Sequence, residues 1–363
     1  MEIRIPQKEE KKKVIKFLNK VFHRPFPSLI PSLYGKDKNS MEYHYVVEEK
    51  GELVGGICAY PQDICVGDVV FKGVGIGMVA TKKSMRGKGI MTMMLNHVFR
   101  EWEGKCEVMY LTGRRHRYEH FGFYPTGINY SYKISDMSIK KYKNSNPYSI
   151  EKAKTQEDFN AIDELASGAV LRNVTPLSTE SDTLRNWFSS AYVIKKDGET
   201  VGFAGGKFFG SNVLERLYVK DGSVEDYIDC VRAYKDYKKV TNLMVEVLPG
   251  EVEFKEAMQR VCEEYSVVST AKYKVLDYKA LIYKLLLVGK NQGSLEDVET
   301  VVEIEGRERL KIVVSGQDVS VTVTEETPKI VLSEQRAIAI LLGAEDGLVK
   351  GIGKFALRHA DFI

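Results

Sequence analysis

The sequence predicts an α/β protein (α+β in its strand order) made of three consecutive units. Its 363 residues exceed what a single hydrophobic core usually holds. Apolar residues recur at helical spacing in some segments and at every second position in others, which indicates alternating helices and strands. A polar stretch rich in Lys, Asn, Ser and Tyr interrupts this pattern at 137–149. We therefore expect units at 1–136, 150–276 and 277–363, with 137–149 as a linker.

Composition excludes several classes of protein. The net charge of +3 comes from 53 basic and 50 acidic residues, and no stripe of aromatic and basic residues occurs, so we expect no nucleic-acid partner. No apolar run approaches the ~18–20 residues of a membrane span, and the charged N-terminus does not resemble a secretory signal. The five cysteines have no CxxC spacing, and the six histidines form no ligand cluster. We expect a cytoplasmic protein with reduced thiols, no membrane span and no metal.

The first unit is expected to contain a helix, antiparallel strands, and then a strand, a loop, a helix and a strand. Pro6 opens the helix, and apolar residues follow it at helical spacing: Val14, Phe17, Leu18 and Val21. Two hairpins turn at Lys50-Gly51 and Gly67-Asp68. The later elements are expected at 74–81 (strand), about 89–103 (helix), 106–111 (strand) and 130–134 (a strand that closes the sheet).

The second unit weakly repeats this pattern. Thr155 and Asp158 form a capping box ahead of a helix, and a hairpin turns at Asp197-Gly198. A strand at 240–247 lies between helices at 224–237 and 252–265.

The third unit changes character. A helix at 277–287 precedes four strands and a helix capped by Ser333 that runs to Leu342. The four strands are expected at 298–305, 310–314, 319–324 and 329–332.

The segment from Val79 to Thr92 carries the clearest chemical signal. It joins a predicted strand to a predicted helix, and its glycines let a ligand approach the backbone closely. The first amides of a helix have no internal partner and lie at the positive end of its dipole, where a diphosphate can bind. Basic side chains add charge: Lys82, Lys83, Arg86 and Lys88. The pattern matches neither the P-loop nor the dinucleotide fingerprint, and a solvated basic turn is the alternative.

This segment resembles the acyl-CoA loop of the GNAT superfamily of N-acetyltransferases, whose pattern is (Gln/Arg)-x-x-Gly-x-(Gly/Ala). Arg86, Gly89 and Met91 occupy its three defining places. Met91 is bulkier than the small residue of the general pattern, and a bulky apolar residue at this place resembles the enhanced intracellular survival (Eis) subfamily. The resemblance implies acetyl-CoA as co-substrate and no metal. The residues it implies for binding are Met78, Val79, Ala80, Thr81, Arg86, Gly87, Lys88, Gly89, Ile90, Met91, Gly113 and Arg114.

A second motif, from Leu111 to Phe123, also resembles the Eis-like enzymes. Its spacing to Phe121-Gly122-Phe123 puts Tyr118 at the place of the tyrosine that protonates the departing thiolate. A phenol of pKa ~10 is a suitable donor to a thiolate of pKa ~8.5. In that family the terminal carboxylate acts as base, and here it belongs to Ile363. The alternative bases are His116, Glu119 and His120.

Eis-like proteins join a catalytic GNAT domain, a degenerate GNAT-like domain and a domain similar to sterol carrier protein. The three predicted units fit this order, and the resemblance implies mixed, splayed central sheets in the first two. It also implies transfer of acetyl from acetyl-CoA to a small amine or a lysine by direct attack, and a possible homo-oligomer. The run Arg114–Arg117 disfavours a strongly cationic acceptor. A non-catalytic acyl-CoA sensor and a lipid-binding protein are the alternatives.

Overall fold

The computed structural model describes residues 1–142, 147–207, 212–269, 271–316, 318–343, 345 and 348–355. Within these ranges the strands form two seven-stranded sheets, one four-stranded sheet and one three-stranded sheet. Helices pack on the faces of the large sheets, and the α/β fold class with mixed sheets is confirmed.

The first part of the chain contains thirteen of these elements. Its helices are α1 (Lys11–Phe22), α2 (Phe26–Leu29), α3 (Pro31–Tyr34), α4 (Ile90–Trp102) and α5 (Arg115–Tyr118). Its strands are β1 (Glu2–Arg4), β2 (His44–Glu49), β3 (Glu52–Pro61), β4 (Asp63–Val66), β5 (Val69–Phe71), β6 (Gly73–Thr81), β7 (Val108–Leu111) and β8 (Tyr124–Thr126).

The helices α1 and α4 cover opposite faces of the first sheet. Val14 and Leu18 of α1 belong to one buried cluster, and Met94 and Val98 of α4 belong to another. Gly55 of β3 permits the close approach of α4, because a Cβ there would lie 2.7 Å from Ile90 Cγ2. The loop that joins β6 to α4 therefore leads into a helix that packs closely on the sheet.

The middle of the chain follows with β9 (Asn129–Ser135), α6 (Asp136–Lys140), β10 (Tyr148–Lys152), α7 (Gln156–Ser167), β11 (Leu171–Val174), α8 (Glu180–Thr183), β12 (Ser189–Lys196), β13 (Glu199–Lys207), β14 (Val213–Val219), α9 (Val224–Lys238), β15 (Asn242–Val247), α10 (Val252–Val261), β16 (Glu264–Val268) and β17 (Ala271–Val275). The capping box of Thr155 and Asp158 at α7 is confirmed.

The two large sheets exchange strands. The strand β9 lies between β15 and β16 of the second sheet, and β17 lies between β7 and β8 of the first. The prediction that the strand at 130–134 closes the first sheet is therefore wrong, because alternation reveals a strand but not its partner. The expected helix at 252–265 ends at Val261, and β16 takes its last residues. Each large sheet contains a strand from the other half of the chain.

The last elements are α11 (Tyr278–Asn291), β18 (Val298–Ile304), β19 (Arg309–Ser315), β20 (Asp318–Val323), β21 (Ile330–Leu332) and α12 (Glu334–Leu342). They share one buried cluster with the first sheet and with the three-stranded sheet of β11, β4 and β5, and in this cluster the rings of Phe71 of β5 and Phe355 lie 4.6 Å apart. The cap of Ser333 on α12 is confirmed. The division into three units at the linker and at 276–277 remains a prediction, and 143–146 of the linker lie outside the described residues.

All five cysteines are free thiols, and four of them are buried. Across the described ranges, no helix is both long enough and apolar enough to cross a membrane.

His44, at the start of β2, is a fully buried titratable group that contacts Tyr34 of α3. Its Nε2 lies 2.8 Å from the hydroxyl of Tyr34, and its Nδ1 lies 2.8 Å from the carbonyl oxygen of Ser40. Burial lowers the pKa of His44 from 6.5 to about 4. A neutral ring that donates from Nδ1 and accepts at Nε2 satisfies both contacts.

This predicts a loss of stability in mild acid. The pKa of His44 is lowered in the folded state, so as the pH falls from 6.5 toward 4 only the unfolded state gains this proton. We expect about 3 kcal/mol of the free energy of unfolding to be lost over this range. Urea unfolding at pH 7 and pH 4.5 measures the loss. The His44→Gln variant should lose less over the same interval, whereas His116→Gln, on an exposed ring, should behave as the unaltered protein; equal losses in all three would contradict the assignment.

Candidate active site

The first sheet opens between β6 and β7. These parallel strands pair only from Gly73–Val108 to Gly75–Tyr110, whereas β6 stays paired with β3 as far as Thr81–Gly55. Beyond Gly75, the edge of β6 that faces β7 has no strand partner among the described residues. The predicted splay is confirmed, and the backbone of Met78–Thr81 lines the gap.

A bulge lies in β6 beside this gap. Cys58 pairs with Gly77 and Gly56 pairs with Ala80, so two residues of β6 oppose Ile57 alone. One of them, Met78, has a φ of 50°, which is uncommon for a residue with a side chain. A bulge bends its strand and redirects backbone groups, and such features concentrate near functional sites.

The loop after β6 leads to a helix N-terminus that is capped by no side chain of the described residues. Gly87 and Gly89 have φ values of 78° and 73°, and Gly89 is the N-cap of α4. A Cβ at either glycine would meet nothing within 4 Å, so the left-handed backbone and not crowding requires glycine there. The first turn of α4 contains no acidic residue. By contrast, Thr155 and Ser223 cap α7 and α9. The first amides of α4 therefore remain available for an anion.

The basic side chains of this loop differ in their contacts. Lys82 forms an ion pair with Glu52, and the ammonium of Lys88 lies 3.5 Å from Met85 Sδ. Arg86 and Lys83 are exposed, and neither has an ion pair within the described part of the chain. The Ile90 side chain is buried and that of Met91 is half-buried, so these two residues offer a ligand mainly their backbone amides. The loop presents excess positive charge to solvent.

Tyr118 lies beyond the carboxyl end of β7. Its ring packs on Gly113, where an added Cβ would lie 2.0 Å from Tyr118 Cε2, and it meets Phe123 edge-on at 6.2 Å. The Phe123 amide donates to the Tyr118 carbonyl at 3.2 Å. Burial raises the pKa of the phenol, although Arg117 opposes this shift. The hydroxyl is therefore protonated at neutral pH and can donate a proton.

The candidate bases are exposed or half-buried, or lie outside the described residues. His116 and His120 are exposed, and Arg115 binds the carboxylate of Glu119 at 2.8 Å. Arg114 is exposed at the start of α5, next to Gly113. Ile363 lies outside the described residues.

The sequence analysis missed a basic cleft beside the loop. Its volume is about 1120 Å³, and it lies between α1, the start of β3 and the residues 81–86. Lys13, Lys16 and Lys20 of α1 line it together with Arg86. Their spacing of three and four residues puts them on one helical face, and this pattern could have indicated the surface.

The N-terminal third of the sequence matches a known family. A profile of the acetyltransferase (GNAT) domain matches residues 2–126, a range that contains β6, the basic loop and Tyr118. Residues 2–126 are thus similar in sequence to an acetyltransferase domain. The protein is accordingly an acyltransferase. No protein of curated function matches the chain in sequence.

Solved structures resemble nearly the whole chain in fold. Eis1 from Mycobacterium abscessus is 14% identical with a TM-score of 0.68, and the match covers 95% of this chain and 90% of Eis1. A GCN5-related N-acetyltransferase from Kribbella flavida is 14% identical, with a TM-score of 0.67 and coverage of 93% and 89%. One from Anabaena variabilis is 13% identical, with a TM-score of 0.65 and coverage of 92% and 88%. The likeness concerns the fold and extends over all three predicted units.

The contact of Tyr118 with Gly113 gives a structural prediction. In Gly113→Ala the new methyl group overlaps the ring, so the ring must move or the loop must distort. We expect the free energy of unfolding to fall by about 1–3 kcal/mol, or the phenol to move into solvent and titrate nearer pH ~10. Urea unfolding and the ultraviolet titration of tyrosine measure these outcomes.

Gly250→Ala is the matched control, since a Cβ at Gly250 meets nothing within 4 Å. A Gly113→Ala variant with unchanged stability and unchanged tyrosine titration would disprove the contact.

Proposed function

We propose that the protein is an N-acetyltransferase that transfers the acetyl group of acetyl-CoA to a primary amine. One arrangement carries the proposal. The gap between β6 and β7 has an uncapped helix N-terminus after one strand and a protonated phenol after the other. A long thioester fits this arrangement, because its diphosphate can bind at the N-terminus of α4 while its leaving sulfur lies near the phenol of Tyr118.

The binding residues act mainly through their backbone. The amides of Gly87 to Met91 bind the diphosphate, and Arg86 adds charge. The edge of β6 at Met78–Thr81 offers peptide groups to the amides of the pantetheine arm, as an added strand would. This route brings the thioester carbonyl near Gly113 and Arg114.

The transfer needs two proton movements and no covalent acyl-enzyme. The amine attacks the thioester carbonyl directly, the new C–N bond forms, and the C–S bond breaks. Tyr118 protonates the departing sulfur, and burial supports this role because it keeps the phenol protonated.

The base removes a proton from the attacking nitrogen. We propose the terminal carboxylate of Ile363, with His116, Glu119 and His120 as the alternatives. A carboxylate of pKa ~3.5 is a weak base for an ammonium of pKa ~10, so its main contribution is to attract the cationic amine into a partly desolvated site.

The acceptor is a small amine or a lysine side chain. The exposed cations at Arg114 and Arg117 disfavour an acceptor with several positive charges, because like charges repel.

The second large sheet supports a degenerate GNAT-like domain at 150–276. Its parallel strands β14 and β15 pair at only two positions, Val213–Met244 and Leu214–Val245, and then separate as β6 and β7 do. The following helix α9 is capped by Ser223, and its first turn contains Glu225 and Asp226. The carboxylates repel an anion at the place where α4 is free to bind one.

The remaining predictions concern the C-terminal unit and the setting. A sterol-carrier-like domain at 277–363 is consistent with α11 packed near β20 of the four-stranded sheet. A cleft of about 460 Å³ lies there, lined by Tyr283, Val319 and Val321 and also by the charged Asp277 and Lys279, and its apolar part favours lipid binding as the second candidate function. A cytoplasmic location and a homo-oligomer stay predictions. The alternative function, a non-catalytic acyl-CoA sensor, would bind acetyl-CoA in the same way but would not turn it over.

Removing the Tyr118 hydroxyl tests the mechanism. We expect Tyr118→Phe to lower kcat by about 10²–10⁴-fold with little change in the Kd of CoA, because the ring remains while the proton donor is lost. Release of CoA thiol during incubation of acetyl-CoA with a panel of amines measures turnover, and mass spectrometry identifies the acetylated acceptor. Tyr237→Phe, on an exposed tyrosine of α9, should keep full activity. Unchanged kcat in Tyr118→Phe would remove Tyr118 from the mechanism.

Removing the Arg86 guanidinium tests the binding site. We expect Arg86→Ala to weaken CoA binding about tenfold at low salt, and less at high salt, because an exposed charge is screened. Calorimetric titration at two salt concentrations measures both effects. Arg100→Ala is the matched control, since Arg100 is exposed at the other end of α4. Equal losses in the two variants would show that a general field, and not contact at the loop, is responsible.

A further inference from the structure

The α1 cleft, defined above by α1, the start of β3 and the loop 81–86, has a charge pattern that the proposed transfer does not use. Six of its lining side chains are lysine or arginine: Lys13, Lys16, Lys20, Lys82, Lys83 and Arg86. Glu52 is the one carboxylate among the lining residues. Such an excess of one charge in a cleft attracts an anion.

Part of this charge is already paired. Lys82 binds Glu52, and Lys13 lies 3.5 Å from Glu48. Lys16, Lys20, Lys83 and Arg86 have no ion pair within the ranges that the structure describes, and all four side chains are exposed. Two of these free cations belong to α1 and two to the loop, so they border the cleft from opposite sides.

The two sides are close in space. Lys20 contributes to the lowered pKa of the Glu52 carboxyl, whose main cause is its hydrogen bond to Lys82. Lys20 of α1 and Lys82 of the loop therefore both act on Glu52, which lines the cleft.

Part of the cleft lining is apolar. Phe17 and Val21 of α1 and Leu53 of β3 contribute to it. The cleft volume of about 1120 Å³ is ample for a nucleotide, since small-molecule sites commonly span about 300–1,000 Å³. Apolar side chains together with cations from both α1 and the loop suit a flat base that carries phosphate.

We infer that the α1 cleft binds the phosphorylated adenosine end of coenzyme A, with Lys16 and Lys20 contacting the 3′-phosphate. This rests on the proposed function, which puts the diphosphate on the amides that follow Arg86. The adenosine is joined to that diphosphate, and Arg86 belongs both to the loop and to the cleft wall. The lysines of α1 then distinguish CoA from thioesters that lack the 3′-phosphate.

Calorimetric titration with CoA, dephospho-CoA and adenosine 3′,5′-bisphosphate tests the inference. We expect the full protein to bind CoA at least about tenfold more tightly than dephospho-CoA, as a charged hydrogen bond contributes. Lys16→Ala and Lys20→Ala should each weaken the binding of CoA about three- to tenfold and leave the affinity for dephospho-CoA unchanged. Lys140→Ala, on an exposed lysine at the end of α6, should alter neither.

The remaining outcomes separate this inference from the proposed function. Equal affinity for CoA and dephospho-CoA, or equal losses for both in the lysine variants, would overturn the inference and leave the acetyltransferase intact. Should no CoA species bind, adenosine 3′,5′-bisphosphate decides: binding that the lysine variants weaken supports a nucleotide site, and no binding refutes it. Binding of a poly-glutamate peptide that Lys16→Ala and Lys20→Ala weaken, together with equal affinity for CoA and dephospho-CoA, would instead indicate an acidic protein partner and overturn the inference.

Discussion

The separation of β6 from β7 is the constraint on which the proposed site depends. Strands of one sheet normally satisfy each other's peptide groups, and an unpaired buried edge is costly. Here β6 keeps its partner β3 as far as Thr81, while no strand within the described ranges pairs with its other edge after Gly75. The open edge supplies backbone donors and acceptors beside the basic loop. A ligand that behaves like a strand at one end and like an anion at the other would satisfy both.

The strand exchange gives this opening a rigid frame. The far edge of β7 is paired with β17, which comes from residues 271–275, and β8 lies beyond it. The loop that carries Tyr118 connects β7 to β8, so both of its ends are attached to the exchanged strand. The first sheet also shares a buried cluster with α11 and α12. The position of Tyr118 therefore depends on residues far along the chain, although the motif that identifies it is local.

The two large sheets show how one architecture can keep or lose an anion site. Both contain a parallel pair that separates, and both place a helix after the first strand of that pair. The difference lies at the helix start. Among the described residues no side chain accepts from the first amides of α4, whereas at α9 the Ser223 hydroxyl accepts from the Asp226 amide and the Asp226 carboxylate accepts from the Ser223 amide. Two or three residues at a helix N-terminus therefore decide whether a ligand can use the same backbone groups.

Local sequence determined the elements and the loop chemistry. Glycine at 87 and 89, an apolar helical face after Ile90, and a capping box at Thr155 are short-range patterns, and the structure has the backbone they indicate. The partners of β9 and β17, and the approach of the α1 lysines to the loop 81–86, were decided by tertiary structure alone. A strand's alternation fixes which face is buried but not which neighbour pairs with its edge, because peptide groups are the same in every residue. The contact of Tyr118 with Gly113 likewise arises only when β7 and the loop after it fold together.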